Sequence, residues 1–337
     1  MNSPLQGGAK RRGRRRWPLL LGLAVLGVAA VVVLLAGSSG GDGGGADNPP
    51  AAVVHRSPKS ASKKPRHPER LPRRPPPGIS LSGPNLVAVH LKPKPGAALL
   101  FDVDTGKVLW KFHPMRVRPI ASVTKVMTAL LVTERLPVDA TARITKKALR
   151  YTGSEVGVLP RDKRVRVETL LYGLLLVSGN DAAVALAERV AGSDRAFARM
   201  MNRRARKLGL SCTHYTSSYG LQDGNRSCPA DLAALSRIAM REPRIARVVR
   251  HSRARVRFPF LKGGQLDLHS TNPLYGLKYP GTIGLKTGFT DPAGHCLVAI
   301  ARRGDRTLGA VLLKSADTGG QARQLLDAGF SLAPAAG

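Results

Sequence analysis

The sequence predicts an α+β domain whose antiparallel sheet is built from both ends of the folded region, with helices on its faces and a helical subdomain in the middle. Three observations carry this reading. Apolar-rich runs separated by turn signals cluster at residues 97–112 and again at 282–313. Helical periodicity fills the stretch between them. Everything before about Pro84 has a composition that cannot bury enough apolar surface to form a core.

The first part of the chain reads as a basic segment, an apolar span and a tether. Of 337 residues, 54 are Lys or Arg and 21 Asp or Glu, a formal charge of +33 that would suggest nucleic acid if gathered on one folded face. Aromatic residues make up only 4%, too little for base stacking, and no nucleic-acid partner is expected. Residues 10–16 read KRRGRRR, and Leu19 to Ala36 then run without a charged side chain, about the length that crosses a bilayer core as a helix. Positive charge ahead of the span predicts a cytoplasmic segment at 1–17, a signal-anchor at 18–37 and everything after it outside the cell. A cleaved signal peptide is the competing reading, because Ala36 and Ser38 suit processing, and the chain would then be secreted. Residues 38–83 are rich first in Gly, then in Pro with Lys and Arg, and predict a disordered linker. Its charges either adhere to anionic headgroups and wall polymers or only keep the linker extended.

The domain at 84–337 follows. Ala97–Asp102 and Lys107–Phe112 flank Val-Asp-Thr-Gly as a hairpin. A helix begins near Ser122, with Val123, Val126, Met127 and Leu130 at helical spacing, and Val167–Val177 is apolar nearly all round, hence a buried helix. After a turn at Ser178-Gly179-Asn180 comes a helix that Asp181 is placed to cap. Ala196–Met240 reads as two basic amphipathic helices joined by a long loop. Strands are predicted at Thr282–Gly288, His295–Arg302 and Arg306–Leu313, then a last helix at about 320–328.

Three short motifs stand in this frame. Ser122-Val-Thr-Lys125 puts a hydroxyl and an ammonium on one helix face, and a lysine whose pKa is lowered can activate a serine nucleophile. Ser178-Gly179-Asn180 follows a rigid buried helix. Lys286-Thr287-Gly288 ends an apolar strand, where Gly permits close backbone approach and Lys and Thr can hold a carboxylate. Each motif alone is weak; in this order, on these elements, the set is specific.

With these motifs, and with SVTKVMTALL, LLYGLLLVSGNDAAVALAE, GLKTGFTDPAGHCLVA and the final LLDAGF, the sequence from about Gly96 to Phe330 resembles the serine D-Ala-D-Ala carboxypeptidases of the low-molecular-mass penicillin-binding type. The resemblance implies a β-lactamase/DD-peptidase-like fold and removal of the terminal D-Ala from peptidoglycan stem peptides, with β-lactam antibiotics as inhibitors and no cofactor. It implies Ser122 as the acylated nucleophile and Lys125 as its base. Ser178 would relay a proton to the leaving amine and Asn180 would hold the substrate amide. Lys286 and Thr287 would receive the terminal carboxylate, with Gly288 beside them and Phe289 and Ser122 giving the backbone N–H groups of an oxyanion hole.

Two departures are visible. Many relatives carry a second, β-rich domain, whereas the residues after Gly288 suffice only for two strands and a helix. Some relatives have an Arg near the start of the last helix; SADTGGQ has none, which leaves carboxylate binding more to Lys286 and Thr287. Cys212 and Cys228 bracket the loop between two helices and predict a disulfide, against two free thiols; Cys296 reads as a buried apolar residue. Asp291 reads as a turn residue, and no histidine has ligand spacing, so no metal is expected. A β-lactamase lacks its E-x-x-L-N run here, and a non-catalytic basic wall-binding protein leaves the motif set unexplained.

Overall fold

In the computed structural model, residues 74–332 are described, apart from 152, 222 and 223. The predicted anchor at 18–37 and the linker up to residue 73 lie outside the described residues. Among the described residues no helix is long and apolar enough to cross a membrane.

Strands β1 (Ala97–Asp102) and β2 (Val108–Phe112) form the first hairpin. A two-residue strand β3 (Arg118–Pro119) and a 3-10 turn at Ala121–Thr124 lead into α1 (Lys125–Arg135). Short strands β4 (Thr141–Arg143) and β5 (Arg164–Arg166) pair with each other ahead of α2 (Val167–Leu175), α3 (Asn180–Ala191) and α4 (Asp194–Lys207). Strand β6 (Arg226–Ser227) pairs with β3 and is followed by α5 (Pro229–Arg241) and α6 (Pro243–Val249). A hairpin of β7 (Arg253–Arg257) and β8 (Gln265–His269) and a single turn α7 (Pro273–Gly276) precede the closing elements β9 (Thr282–Thr290), β10 (Gly294–Arg303), β11 (Arg306–Ser315) and α8 (Thr318–Ser331).

The main sheet has the order β2-β1-β11-β10-β9, all antiparallel, so the two ends of the domain do meet in one sheet. Its central strands are buried on both faces, which is why their sequences are apolar without alternation. Ala97, Leu99 and Phe101 of β1 point into the larger core, with Val298, Ile300, Val311 and Leu313 and the helices from α1 to α6. Ala98 and Leu100 point the other way, with Leu297, Ala299, Leu308, Ala310 and Leu312, against Leu325 and Leu326 of α8. At an edge of the sheet, β9 pairs among the described residues only with β10 and turns its other side to the segment around Ser122.

The predicted pattern of strands and helices is present, with differences at the margins. Packing begins before Pro84, since Ile79 is buried and Ser80 bridges Lys107. The β7–β8 hairpin had no turn dipeptide to announce it; Leu266 and Leu268 alternate with exposed residues, but Gly263-Gly264 sits at the end of a longer connection. A disulfide joins Cys212 to Cys228, and Cys296 is buried as a free thiol. Asp231 lies near both bonded sulfurs, which offer no thiolate to a metal.

Candidate active site

The Ser122 hydroxyl sits at the 3-10 turn that leads into α1, and Lys125 is the first residue of that helix, so the pair straddles a change of helical type. Ala121, immediately before, has φ +46°, a left-handed conformation that turns the chain sharply under the end of β9. Gly288 answers it from the strand. A Cβ there would lie 2.8 Å from the Ile120 carbonyl oxygen and 3.0 Å from the Ser122 nitrogen, so only Gly lets β9 come this close.

Lys125 is fully buried on the first turn of a helix whose residues 125–132 are all buried. Its Nζ has three oxygen neighbours: Ser122 Oγ at 2.8 Å, Asn180 Oδ1 at 2.7 Å and the Tyr219 carbonyl at 2.8 Å. Two of these oxygens can only accept. In the neutral amine, the two N–H bonds therefore go to Asn180 and Tyr219, and the lone pair is left facing the Ser122 hydroxyl. Burial drives the Lys125 pKa well below the ordinary lysine value, the charge on Lys286 lowers it further, and Asp181 opposes them. The arrangement is that of a serine and its base.

Ser178 ends the connection from α2 with φ +65°, unusual for a residue with a side chain, and its Oγ is buried with no hydrogen-bond partner among the described residues. The predicted relay through Ser178 has no direct bond to Lys125 in this structure. Asn180, expected to hold a substrate amide, accepts from Lys125 through its Oδ1. On the opposite wall Lys286 is also fully buried, its Nζ donating to the Thr287 carbonyl at 2.9 Å, and burial lowers its pKa to about 7.

Ser122, Ser178, Thr287, Gly288 and Phe289 line one cavity of about 550 Å³, while Lys125, Asn180 and Lys286 lie behind its surface. Lys286 thus stands behind the cavity wall rather than in its lining. Phe289 is 54% exposed at the rim, ringed against His295 at 4.5 Å between centroids. Cys296 also lines the cavity; burial raises its thiol pKa to about 11, which keeps it protonated.

Other contributors to the site carry no signal in the sequence. Tyr219 acts through its backbone carbonyl, which accepts from Lys125 and, at 3.4 Å, from Ser122 Oγ. It lies inside the loop closed by the Cys212–Cys228 disulfide. The loop is held by Asn225, whose Nδ2 donates to Thr124 Oγ1 and Ser217 O, and by Thr128 Oγ1, which donates to Ser218 O at 2.6 Å. Gly220, at φ +92°, lets it pass the Ala121 carbonyl, which a Cβ would approach to 2.1 Å. A further contributor is Thr271, whose Oγ1 lies 2.6 Å from Thr287 Oγ1 in the cavity. Only the spacing of hydrophobic residues and the motifs are visible in a sequence; a backbone carbonyl carried in by a loop is not.

Comparison with known proteins agrees with this geometry. A model of the D-alanyl-D-alanine carboxypeptidase family matches residues 87–317. The D-alanyl-D-alanine carboxypeptidase DacB2 of Mycobacterium tuberculosis is 37% identical over 248 residues, covering 71% of this chain and 83% of the relative. DacF of Bacillus subtilis is 32% identical over 244 residues, covering 70% of this chain, which spans only 62% of that relative's length. The crystal structure of the Streptomyces K15 DD-transpeptidase is similar with a TM-score of 0.66 at 32% identity, covering 72% of this chain and all of the other. A family model that takes in the whole stretch from before β1 to the start of α8, and with it Ser122, Lys125, Ser178 and Lys286, leaves one assignment: the chain belongs to the family of D-alanyl-D-alanine carboxypeptidases.

Proposed function

We propose that the chain is a serine D-Ala-D-Ala carboxypeptidase that removes the terminal D-Ala of peptidoglycan stem peptides through an acyl-enzyme on Ser122. The observation that carries the reading is the triangle of oxygens around Lys125 Nζ, at 2.7, 2.8 and 2.8 Å, two of them pure acceptors. Ser122 Oγ attacks the carbonyl of the penultimate D-Ala and its proton passes to the Lys125 lone pair. The backbone N–H groups of Ser122 and Phe289 take the developing oxyanion. The leaving amine recovers the proton from Lys125 by way of the unpartnered Ser178 hydroxyl. Water then attacks the ester, with Lys125 again as base. Thr287 and Thr271 receive the terminal carboxylate and Lys286 supplies positive potential from behind them. Penicillins follow the first half of this path and stop at the ester.

The same reading gives the rest of the chain its roles: 1–17 cytoplasmic, 18–37 an anchor, 38 to about 73 a tether, and a catalytic domain that takes in the packed residues ahead of Pro84 and acts outside the membrane. Protease protection of the N-terminus in intact cells tests this orientation; a domain shielded from added protease would refute it. The chemistry is tested with purified full-length chain in detergent. Release of D-Ala from stem pentapeptide and a fluorescent penicillin adduct on Ser122 are expected, and an adduct surviving Ser122→Ala would sink the assignment.

A further inference from the structure

A second cavity, of about 420 Å³, opens at the start of β9, beside Ile283, whereas Gly288 and the Ser122 site lie toward the other end of that strand. It shares no lining residue with the Ser122 cavity. Four arginines from three parts of the fold converge on it: Arg237 and Arg241, one turn apart on α5, Arg250 at the C-terminal end of α6, and Arg302 on β10. Like charges one helical turn apart repel. Burial and the Arg241 charge both lower the Arg237 pKa, with Asp102 and Asp104 opposing them, so positive charge is held together here against its own repulsion.

Hydrogen bonds orient these guanidiniums without neutralising them. Arg237 donates to the Val103 carbonyl at 2.7 Å, to the Asp104 carbonyl at 2.8 Å and to the Gly78 carbonyl, and Arg302 donates to Thr307 Oγ1 at 3.0 Å, all of them neutral acceptors. Arg241 and Arg250 are exposed. Among the described residues none of the four makes an ion pair, although Asp104 lines the same cavity. Elsewhere arginines do find carboxylates, as Arg204 does on Glu134 and Arg303 on Asp327. The carbonyl ends of α5 and α6 lie at Arg241 and Arg250 and carry about half an elementary charge each, which leaves most of the positive charge over. Between the guanidiniums the wall is apolar, formed by Val103, Met240, Ala246 and Ile283.

We infer that this cavity is a binding site for a phosphate group carried on a small carbon skeleton. A carboxylate presents its oxygens in one plane, whereas phosphate oxygens point in several directions, which matches guanidiniums arriving from α5, α6 and β10. A bare phosphate would leave much of a cavity of this size unfilled, and the apolar part of the wall accepts the carbons beside it. Glycerophosphate has this chemistry, both free in solution and as the headgroup of a lipid. The site stands apart from the reaction at Ser122 and does not depend on it.

The test footprints arginines with phenylglyoxal and peptide mass spectrometry, on full-length chain in neutral detergent at constant ionic strength. Glycerol 3-phosphate is expected to slow labelling of Arg241, Arg250 and Arg302 about fivefold or more, with exposed Arg199 of α4 changing less than about twofold, and succinate is expected to protect none of them. Protection by glycerol 3-phosphate supports a soluble source. Protection in phosphatidylglycerol vesicles but not in phosphatidylcholine vesicles, with no soluble phosphate added, supports a lipid headgroup. The double variant Arg241→Ser, Arg250→Ser should lose the protection of Arg302 while its melting temperature stays within about 4 °C of wild type. If that variant does not fold, Arg250→Gln alone should at least halve the protection. The proposal is overturned if neither phosphate source protects these arginines, if succinate protects them as well, if Arg199 is protected equally, or if the folded variant keeps the protection of Arg302.

Discussion

Lys125 and Lys286 are both wholly buried on facing walls of one site, yet they are held in different ways. Lys125 is surrounded by three oxygens, each from a different part of the chain, whereas Lys286 has the adjacent Thr287 carbonyl. Burial is the leading cause of the lowered pKa in both. The difference lies in what their surroundings do with the proton. Oriented acceptors around Lys125 fix where its lone pair points, which suits a base. Lys286, loosely tied and poised near pH 7, gains charge when an anion arrives and so suits a receptor for one.

Removing the reacting pair gives the largest expected effect. Ser122→Ala should abolish both the penicillin adduct and D-Ala release, because the other hydroxyls of the cavity have no base at hydrogen-bond distance. Lys125→Ala should keep non-covalent binding but slow acylation by about 10³-fold or more, read by stopped-flow with fluorescent penicillin. If acylation fell by less than tenfold, Lys125 would not be the base that sets it apart from Lys286.

Lys286→Met separates charge from base. Its kcat/KM for pentapeptide should fall by about 10- to 100-fold, and an amidated substrate should narrow the gap to wild type. Loss of the Lys286 charge should also raise the Lys125 pKa and move the acidic limb of the kcat/KM profile to higher pH. Stability should change with the opposite advantage. A lysine depressed to about 7 in the folded state and near 10.5 unfolded makes folding more favourable as pH rises through that window. Below about 7 both states carry the proton and the full cost of burying it remains. Lys286→Met should therefore melt above wild type at pH 6, with the gap closing by pH 10. A wild type equally stable relative to the variant at both pH values would contradict this.

How much of this contrast was legible beforehand differs between the walls. Ser122 lies on the 3-10 turn that runs straight into the helix begun by Lys125, so i, i+3 spacing was enough to join them. Apolar Thr282–Gly288 placed Lys286 on a strand, although β9 runs on to Thr290 and Lys286 sits at its middle rather than its end. The strand order was also readable in outline, because the central strands are uninterrupted apolar runs. Distance in sequence hid the rest. The third oxygen on Lys125 is a carbonyl 94 residues away, carried by a loop whose positioning depends on Asn225 and Asp194 side chains. That Lys286 lies behind the cavity surface follows from the register of β9 against the Ser122 turn, which no local pattern encodes.

Reducing the Cys212–Cys228 disulfide probes the loop that carries Tyr219. A cross-link spanning 16 residues contributes about 3 kcal/mol. The loop is pinned independently by Asn225, by Asp231, which accepts from the Cys212 N–H at 2.7 Å, and by Asp194, which accepts from the Ser218 N–H. Reduced chain should therefore melt several degrees lower while its acylation rate changes by less than about threefold. Loss of acylation in step with the melting temperature would mean that the covalent link, rather than these hydrogen bonds, holds the Tyr219 carbonyl on Lys125.

The smallest expected effect belongs to Thr271, on the Lys286 side. Its hydroxyl lies 2.6 Å from that of Thr287, so one of the two donates to the other and the second proton is left for a ligand. Valine has the same shape without the hydroxyl, so Thr271→Val removes an acceptor or donor and little packing. A neutral hydrogen bond contributes about 0.5–1.5 kcal/mol, and the KM for a D-Ala-terminated peptide should rise about threefold with kcat nearly unchanged. Because the pair is proposed to hold a carboxylate, the effect should vanish with the amidated peptide and should not add to that of Lys286→Met, since both act on one anion. A fall in kcat at constant KM would instead place Thr271 with Ser122 and Lys125, and the division between a basic wall and an anion-holding wall would no longer stand.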